Sequence, residues 1–120
     1  MIYKKYVSEP WFTLIKNGIK TVEGRLNKGD FAEMKKGDTV IWLKSDSSDS
    51  SDDKKFVRTR ILDIHHYKSF HDYLKAERLK NTLPINSIKT IENGEKIYYQ
   101  YYSKKDEKKY GVLAIKLKLI

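Results

Sequence analysis

The last ten residues show the clearest alternation of apolar and polar positions in this chain. In the run GVLAIKLKLI over residues 111–120, Leu113, Ile115, Leu117 and Leu119 alternate with other residues, among them two lysines. Successive side chains of a β-strand point to opposite faces, so a period of two is typical of a strand with one apolar side. The pattern therefore predicts a C-terminal strand.

Other segments also predict strands. Residues 39–44 (TVIWLK) are apolar on both faces and rich in β-branched and aromatic residues, which is typical of a strand inside a sheet. Residues 56–65 predict a second strand, and residues 1–7 predict a short strand at a sheet edge. Residues 20–26 are strand-like at Thr21 and Val22 but crowded with charge.

A helix is predicted directly after the first strand. Ser8, Glu9 and Pro10 form a start signal, since a hydroxyl can accept from exposed helix amides and proline is tolerated in the first turn. Apolar residues then recur three and four apart, and Gly18 provides the stop because glycine readily takes the left-handed conformation. The predicted helix has about two and a half turns.

Three later segments predict helix with different clarity. Residues 31–34 predict a single turn. Residues 69–72 have the spacing of a capping box, which predicts a helix over residues 70–80. Residues 90–102 are ambiguous, because their apolar spacing suits a helix whereas Gly94 and the run IYYQYY are compatible with a strand. A helix is the preferred interpretation.

The order of these elements favours an α+β fold. Short helices separate the strands without the regular strand–helix–strand alternation of a doubly wound sheet. We expect a small mixed β-barrel of about five or six strands with two or three flanking helices. At 120 residues the chain is expected to form a single domain over residues 1–120.

The composition excludes several classes of protein. Nine Tyr, four Phe and two Trp supply bulky core material, and the absence of cysteine removes disulfides, zinc-thiolate sites and thiol nucleophiles. No apolar run approaches the roughly 20 residues that span a bilayer, and the start MIYKKYVSEP is not a signal peptide. We therefore expect an intracellular protein, cytoplasmic or nuclear, without a membrane partner and favoured to be a monomer.

The formal net charge of +9 is unevenly distributed. Residues 45–53 (SDSSDSSDD) hold four aspartates and no basic residue, so the remainder of the chain carries +13. This segment predicts a flexible acidic hairpin loop, too polar to pack. The basic remainder favours a polyanionic partner, nucleic acid ahead of membrane, although a nucleotide-biased genome produces a similar composition.

The first candidate site is a charged cluster beside the predicted helix stop. Lys20, Glu23 and Arg25 fall within six residues and are flanked by Gly18 and Gly24. Lysine can hold a phosphate or carbonyl oxygen, arginine can bind a phosphate or a base edge, and glutamate can orient a cation or act as a general base. The alternative is a solvated strand end with a local ion pair.

Glu77 is the second candidate. It falls on the apolar stripe of the helix predicted over residues 70–80, where a carboxylate needs a partner. The partner is either Lys20 or Arg25 across a cleft, or a neighbouring cation, Arg78 or Lys80, in water. Both readings stay open.

The histidines and tyrosines are weaker candidates. His65 and His66 would point to opposite faces of a strand, and with His71 they form no ligand motif, so no metal or other cofactor is expected. Tyr102 and its neighbouring tyrosines, with lysines around them, offer the combination that stacks unpaired bases, although the core also needs tyrosines.

Several short segments together point to a known family: residues 9–12 (EPWF), the run GIKTVEGR at 18–25, the KGD at 36–38, the LP at 83–84, residues 98–102 (YYQYY) and the GVLAI at 111–115. They resemble the ASCH domain family of the PUA-like superfamily. The resemblance implies a β-barrel of five or six strands and a cleft beside the first helix. Lys20, Glu23 and Arg25 would face a ligand there.

The resemblance also implies that the partner is RNA or another nucleic acid. Trp11 would lie near the cleft, and Lys28 and Tyr102 are further candidates for contacting the nucleic acid. Some family members are reported as ribonucleases, and one branch hydrolyses N4-acetylcytidine. That branch uses a threonine three residues after the motif lysine, where this chain has Glu23.

The leading hypothesis is therefore an RNA- or nucleotide-binding module with a basic cleft. The alternative is a hydrolase acting on a modified nucleoside, or a ribonuclease, with Lys20, Glu23 and Glu77 as catalytic residues. A third interpretation is a protein-interaction domain whose segment 45–53 is a phosphorylated docking site.

Overall fold

The computed structural model describes residues 1–45 and 55–120 of the chain. The strands are β1 (Ile2–Val7), β2 (Val22–Leu26), β3 (Thr39–Lys44), β4 (Phe56–Tyr67) and β5 (Val112–Leu119). The helices are α1 (Trp11–Lys16), α2 (Asp30–Glu33), α3 (Phe70–Glu77), α4 (Leu79–Thr82), α5 (Ile91–Tyr98) and α6 (Lys104–Tyr110). The acidic hairpin loop predicted for residues 45–53 lies, apart from Ser45, outside the described residues.

The five strands form one curled sheet, a half-barrel, in the order β1-β3-β4-β5-β2. β1 is parallel to β3, and every other neighbouring pair is antiparallel. β1 and β2 are therefore the two edges of the sheet. This architecture confirms the predicted α+β class and the edge strand at the N-terminus, while the described residues hold six helical segments rather than two or three.

The inner face of the sheet packs around Trp42. Its side chain is fully buried, and the indole Nε1 donates to the hydroxyl of Thr59 at 3.0 Å. That hydroxyl donates in turn to the carbonyl of Val40 at 2.9 Å. Among the described residues, every buried side-chain nitrogen and oxygen has a hydrogen-bond partner, as expected of a well-formed core.

Helices cover the outer face of β2, β5 and the second half of β4. Tyr73 of α3 is fully buried and packs on Gly24 of β2. Because both faces of β5 are covered there, the whole run 112–115 is buried, which the predicted period of two did not include. The strand itself is confirmed, but Leu119 is 42% exposed rather than part of the buried face.

The first helix is confirmed but is shorter than predicted. α1 has six residues and begins after Pro10, with no side-chain cap. Ser8 contributes its backbone carbonyl, which accepts from the amide of Phe12 at 3.0 Å. Gly18 has φ of +74°, the left-handed conformation expected of the stop.

The helix predicted over residues 70–80 is wrong beyond Glu77. Ser69 caps its start as expected, accepting from the amide of Asp72 at 3.1 Å. Arg78 then takes φ of +75°, an uncommon conformation for a residue with a side chain, and the chain restarts as α4. The break redirects α4 toward β2, where its last residue contributes to the site described below.

The ambiguous segment is a helix, α5, and a further helix follows it. A Cβ atom at Gly94 would lie 2.9 Å from the nearest methyl group of Leu74, so the glycine allows α5 to approach α3. α6 was not predicted, although Ser103 caps it with the same spacing as Ser69. Its buried Glu107 accepts from the amide of Phe70 at 2.7 Å, which ties α6 to the start of α3.

We expect the substitution Gly24→Ala to destabilise the fold by about 1–3 kcal/mol, because its Cβ would lie 2.6 Å from the buried ring of Tyr73. Urea unfolding followed by circular dichroism measures the loss. In a Tyr73→Leu background the same substitution should cost clearly less, since the ring is gone. An equal cost in both backgrounds would contradict crowding as the cause.

Candidate functional site

The two edge strands of the sheet approach each other at a seam that Arg25 bridges. Arg25 lies on β2, and its Nη2 donates to the backbone carbonyl of Tyr6 on β1 at 2.8 Å. β1 and β2 do not pair through their backbones in the strand order. The hydrogen bond of the Arg25 side chain therefore joins the two edge strands where no backbone pairing does.

Lys20 lies beneath this seam as a buried cation, 2% exposed. Its Nζ donates to the carbonyl of Val22 at 2.6 Å and to the carbonyl of Thr82, the last residue of α4. It also lies 3.3 Å from Oε1 of Glu23. Burial lowers the pKa of the Lys20 ammonium, and Glu23 opposes that effect. With three acceptors, all three donors of the ammonium have partners.

Glu23 joins the two cations into one cluster, which we call the buried triad (Lys20, Glu23 and Arg25). Its Oε2 accepts from Nε and Nη2 of Arg25 at 3.0 and 2.9 Å. Burial alone would raise the pKa of this carboxyl, but the two cations outweigh it and the pKa is lowered. The carboxylate is therefore held ionised between two positive charges.

Two aromatic rings pack near the guanidinium of Arg25. Its Cζ lies 5.0 Å from the ring centre of Phe31 and 5.3 Å from that of Trp42, within cation–π range. Burial would lower the pKa of the guanidinium, but Glu23 raises it above its ordinary value. Arg25 is thus a permanently charged, positioned group.

A pocket of about 190 Å³ opens at the seam, above the buried triad. We call it the seam pocket. Besides the triad and Gly24, half of its lining residues are aromatic, and the lining comes from β1, α1, α5, the turn after α5 and the residues that directly follow β1, β3 and α4. The lining residues include Tyr6, Trp11, Leu83, Tyr98, Tyr101 and Tyr102.

The tyrosines of the seam pocket form a packed aromatic wall. Tyr98 and Tyr102 both stack on the ring of Phe70, at 4.5 and 5.5 Å between ring centres. The hydroxyl of Tyr98 hydrogen-bonds that of Tyr73 at 3.0 Å. Burial raises the pKa of Tyr102, while the nearby Arg25 lowers it. Tyr101 is 58% exposed and stands at the rim.

The structure brings together five of the residues singled out in the sequence. Lys20, Glu23, Arg25, Trp11 and Tyr102 all line the seam pocket, and Lys20 Nζ lies 5.7 Å from the ring centre of Trp11. Lys20 and Glu23 are buried and Arg25 is partly buried, so the cluster is not a solvated strand end.

The two remaining candidates lie elsewhere. Lys28 stands over the ring of Tyr110 at 5.2 Å, outside the pocket lining. Glu77 pairs with neither Lys20 nor Arg25 and with neither Arg78 nor Lys80. Both expected pairings were wrong, because the side chain of Glu77 points to the outer face of β4.

Glu77 instead forms a polar cluster with residues of β4. Its Oε2 accepts from the hydroxyl of Tyr67 and lies 2.9 Å from Nδ1 of His65, whose Nε2 lies 3.1 Å from Asp63. The hydrogen bond to Glu77 is the main cause of the raised pKa of His65. Burial, with the bond to Glu77, raises the pKa of Tyr67 to about 12. The hydrogen bonds within this cluster explain how the carboxylate of Glu77 can be buried without a cation of the seam pocket.

The sequence did not identify the pocket residues that lie near or just beyond the ends of strands and helices. Tyr6 is the last residue but one of β1, and Ser45 directly follows β3, its parallel neighbour. Leu83 directly follows α4, and Ile97 is the last residue but one of α5. Only Leu83 falls in a motif noted in the sequence, the LP at 83–84, and that motif did not assign it to a site, since the position of these residues depends on the break at Arg78 and on the closure of the sheet. Among residues 1–45 and 55–120 there is no group of three or more His, Asp or Glu that could hold a metal. None of the helices described there is long and apolar enough to cross a membrane.

The fold of this chain is shared with known proteins. Over residues 6–120 the chain matches the family model of the ASCH domain, and it belongs to that family. No curated protein matches it. Among solved structures it is similar to the hypothetical protein PH0355 (34% identity, all of both chains, TM-score 0.84). It is also similar to protein PF0455 from Pyrococcus furiosus (32% identity, all of this chain and 98% of that one, TM-score 0.76).

The lowered pKa of Glu23 predicts a loss of stability in acid. Between that lowered value and the ordinary carboxyl pKa of about 4.3, the unfolded chain binds more protons, so stability falls as the pH falls. Urea unfolding of the wild type across this range should show the fall. The variant Glu23→Gln, although less stable, should show a shallower fall, whereas Asp63→Asn should keep most of it. Equal slopes for wild type and Glu23→Gln would contradict the prediction.

Proposed function

We propose that this ASCH domain binds RNA or a nucleotide, with one unpaired base held in the seam pocket. The observation that carries the proposal is that the seam pocket combines aromatic lining residues with the hydrogen-bonded charges of the buried triad. Aromatic faces stack bases of any sequence, and charged edges with fixed geometry can hydrogen-bond a base edge or a phosphate.

The size of the seam pocket supports a small flat ligand. Pockets for drug-sized ligands measure roughly 300–1,000 Å³. The seam pocket, at about 190 Å³, is smaller and has an exposed rim residue, Tyr101. A single planar group entering from a longer molecule suits these dimensions better than a bulky ligand enclosed on all sides.

The buried triad supplies the polar part of the proposed site. Arg25 and Glu23 both line the pocket, and their positions are fixed by each other and by Tyr6. In this proposal Arg25 contacts a phosphate or a base edge, and Glu23 accepts from a base amino group. A pre-ordered site of this kind loses little side-chain entropy when the ligand binds.

We expect Tyr101→Ala to weaken binding of a short single-stranded RNA by about 1–3 kcal/mol, because one stacking surface is removed. Tyr101 is exposed, so the fold should be unaffected. Fluorescence anisotropy with labelled RNA measures the affinity, and circular dichroism checks the fold. The control Tyr110→Ala removes a tyrosine outside the pocket and should bind like the wild type. Equal affinities for all three proteins would contradict the proposal.

Hydrolysis of a modified nucleoside or of RNA is the alternative function. A buried lysine with a lowered pKa favours it, since catalytic lysines are tuned in this way. Three features count against it. The ammonium of Lys20 already has three acceptors, Glu23 is a weak base between two cations, and Glu77 contacts His65 rather than the pocket. Binding is therefore the better-supported function.

We expect no turnover when the protein is incubated with N4-acetylcytidine or with a structured RNA. The reason is that, among the described residues, Glu23 is the only carboxylate that lines the seam pocket and no histidine lines it, and the lowered pKa of Glu23 makes it a weak base. Liquid chromatography of the products against a protein-free blank makes the measurement. Product above that blank which scales with protein concentration would favour the hydrolase instead.

A further inference from the structure

The half of the outer sheet face that the helices leave uncovered carries a second set of basic and aromatic side chains. These residues lie on β1, β4 and the end of β5, and all are exposed. We call this surface the outer basic face and define it by Lys4, Tyr6, Phe56, Arg58, Arg60 and Lys118.

The strand register places these side chains in ordered rows. Tyr6, Leu43 and Phe56 are aligned across β1, β3 and β4, which makes one row with an aromatic ring at each end. The next row has Lys4 and Arg58 on either side of Ile41. Neighbouring strands are about 4.8 Å apart, so the two ends of a row are separated by about 10 Å.

A third row continues the positive charge. Arg60 is aligned with Lys118 on β5 and is two residues beyond Arg58 on the same side of β4. Residues two apart on a strand point the same way, about 7 Å from each other. The outer basic face is therefore a patch of four cations next to an aromatic row.

The charges of this face are not neutralised by described residues. Lys4, Arg58, Arg60 and Lys118 form no ion pair or side-chain hydrogen bond with another described residue. No carboxylate points outward from residues 2–6, 39–43 or 56–60. Unpaired cations grouped on one surface attract a polyanion.

The face is continuous with the seam pocket. Tyr6 belongs to both, since it lines the pocket and also ends the aromatic row. Tyr6 is 62% exposed and Phe56 is 47% exposed, so both rings are accessible on the surface. Exposed rings beside cations are the arrangement that binds unpaired bases together with their phosphates.

From this geometry we propose that the outer basic face binds the strand of a single-stranded RNA that continues from the base held in the seam pocket. The inference rests on the proposed function and extends it, because it assigns a path to the rest of the ligand. Tyr6 and Phe56 stack bases outside the pocket, while Arg58, Arg60 and Lys118 contact phosphates.

The test compares a trinucleotide with a single-stranded RNA of roughly 12 nucleotides, a length within the range that small folds cover. Both are labelled with fluorescein, have a mixed sequence, and are measured by anisotropy at several salt concentrations. The double variant Arg58→Gln/Arg60→Gln removes two cations of the face. Its control, Lys75→Gln/Lys89→Gln, removes two exposed cations on the helical side, so the net charge is matched.

The face variant should bind the longer RNA about tenfold more weakly than the wild type, and its salt slope should fall by about 1.4. Its affinity for the trinucleotide should be unchanged. The control should lie within about twofold of the wild type for both ligands. Phe56→Ala should also weaken only the longer RNA. Since all these side chains are exposed, thermal unfolding should show wild-type folds.

Other outcomes separate the two proposals. If the face variant binds the longer RNA like the wild type, the outer basic face is not the path and the inference is overturned. If the wild type binds the longer RNA through the face but ignores the trinucleotide, the seam pocket proposal fails, and with it the continuation of the strand from the pocket, while RNA binding by the outer basic face itself stands. Equal binding of duplex RNA would overturn the stacking role of Tyr6 and Phe56. A dimer in sedimentation that Phe56→Ala dissociates would overturn the inference as well, since a second copy would cover the face.

Discussion

The structure depends on a carboxylate that is buried between two cations. Glu23 contacts both Lys20 and Arg25, and each cation has further acceptors on another element, α4 for Lys20 and β1 for Arg25. Burying three charges is costly, and the cost is recovered only if every member keeps its partners. The triad therefore ties β2, β1 and α4 together at one point. A sheet whose edges do not pair is held at the distance that leaves a pocket between them.

The same contacts decide what chemistry the pocket offers. The donors of Lys20 are used inside the fold, so this lysine serves as a support rather than as a free ligand for a substrate oxygen. Arg25 and Glu23 line the pocket, and their positions are fixed by their contacts with each other, with Tyr6 and with Lys20. The aromatic wall then provides the surface that a ligand meets first. Such a site is suited to recognition of a flat polar group more than to proton transfer.

Much of the fold could be predicted from patterns that act locally. The alternation in residues 111–120, the apolar run at 39–44 and the serine cap at Ser69 each depend on neighbours in sequence, and each is confirmed. The motif at 18–25 located the triad for the same reason. The break at Arg78 could not be predicted in this way, because a residue with a side chain takes that conformation only where tertiary packing favours it. The partners of Glu77 also come from β4, and no local pattern contains that pairing.

The helices cover only half of the outer face of the sheet, and a group of the protein's basic side chains is exposed on the uncovered half. Over β2 and the first residues of β5 the outer residues are apolar or small, as at Gly24 and Ala114, because α3 packs there. Over β1, β3 and the first half of β4 no helix packs on this face among the described residues, and its exposed side chains include those of Lys4, Tyr6, Phe56, Arg58 and Arg60. If these charges served only to keep the protein soluble, a surface with positive and negative residues mixed together would be enough. Cations that pair with no acid of residues 1–45 and 55–120, beside two exposed rings and next to a pocket, are the arrangement that the proposed ligand, both anionic and aromatic, would require.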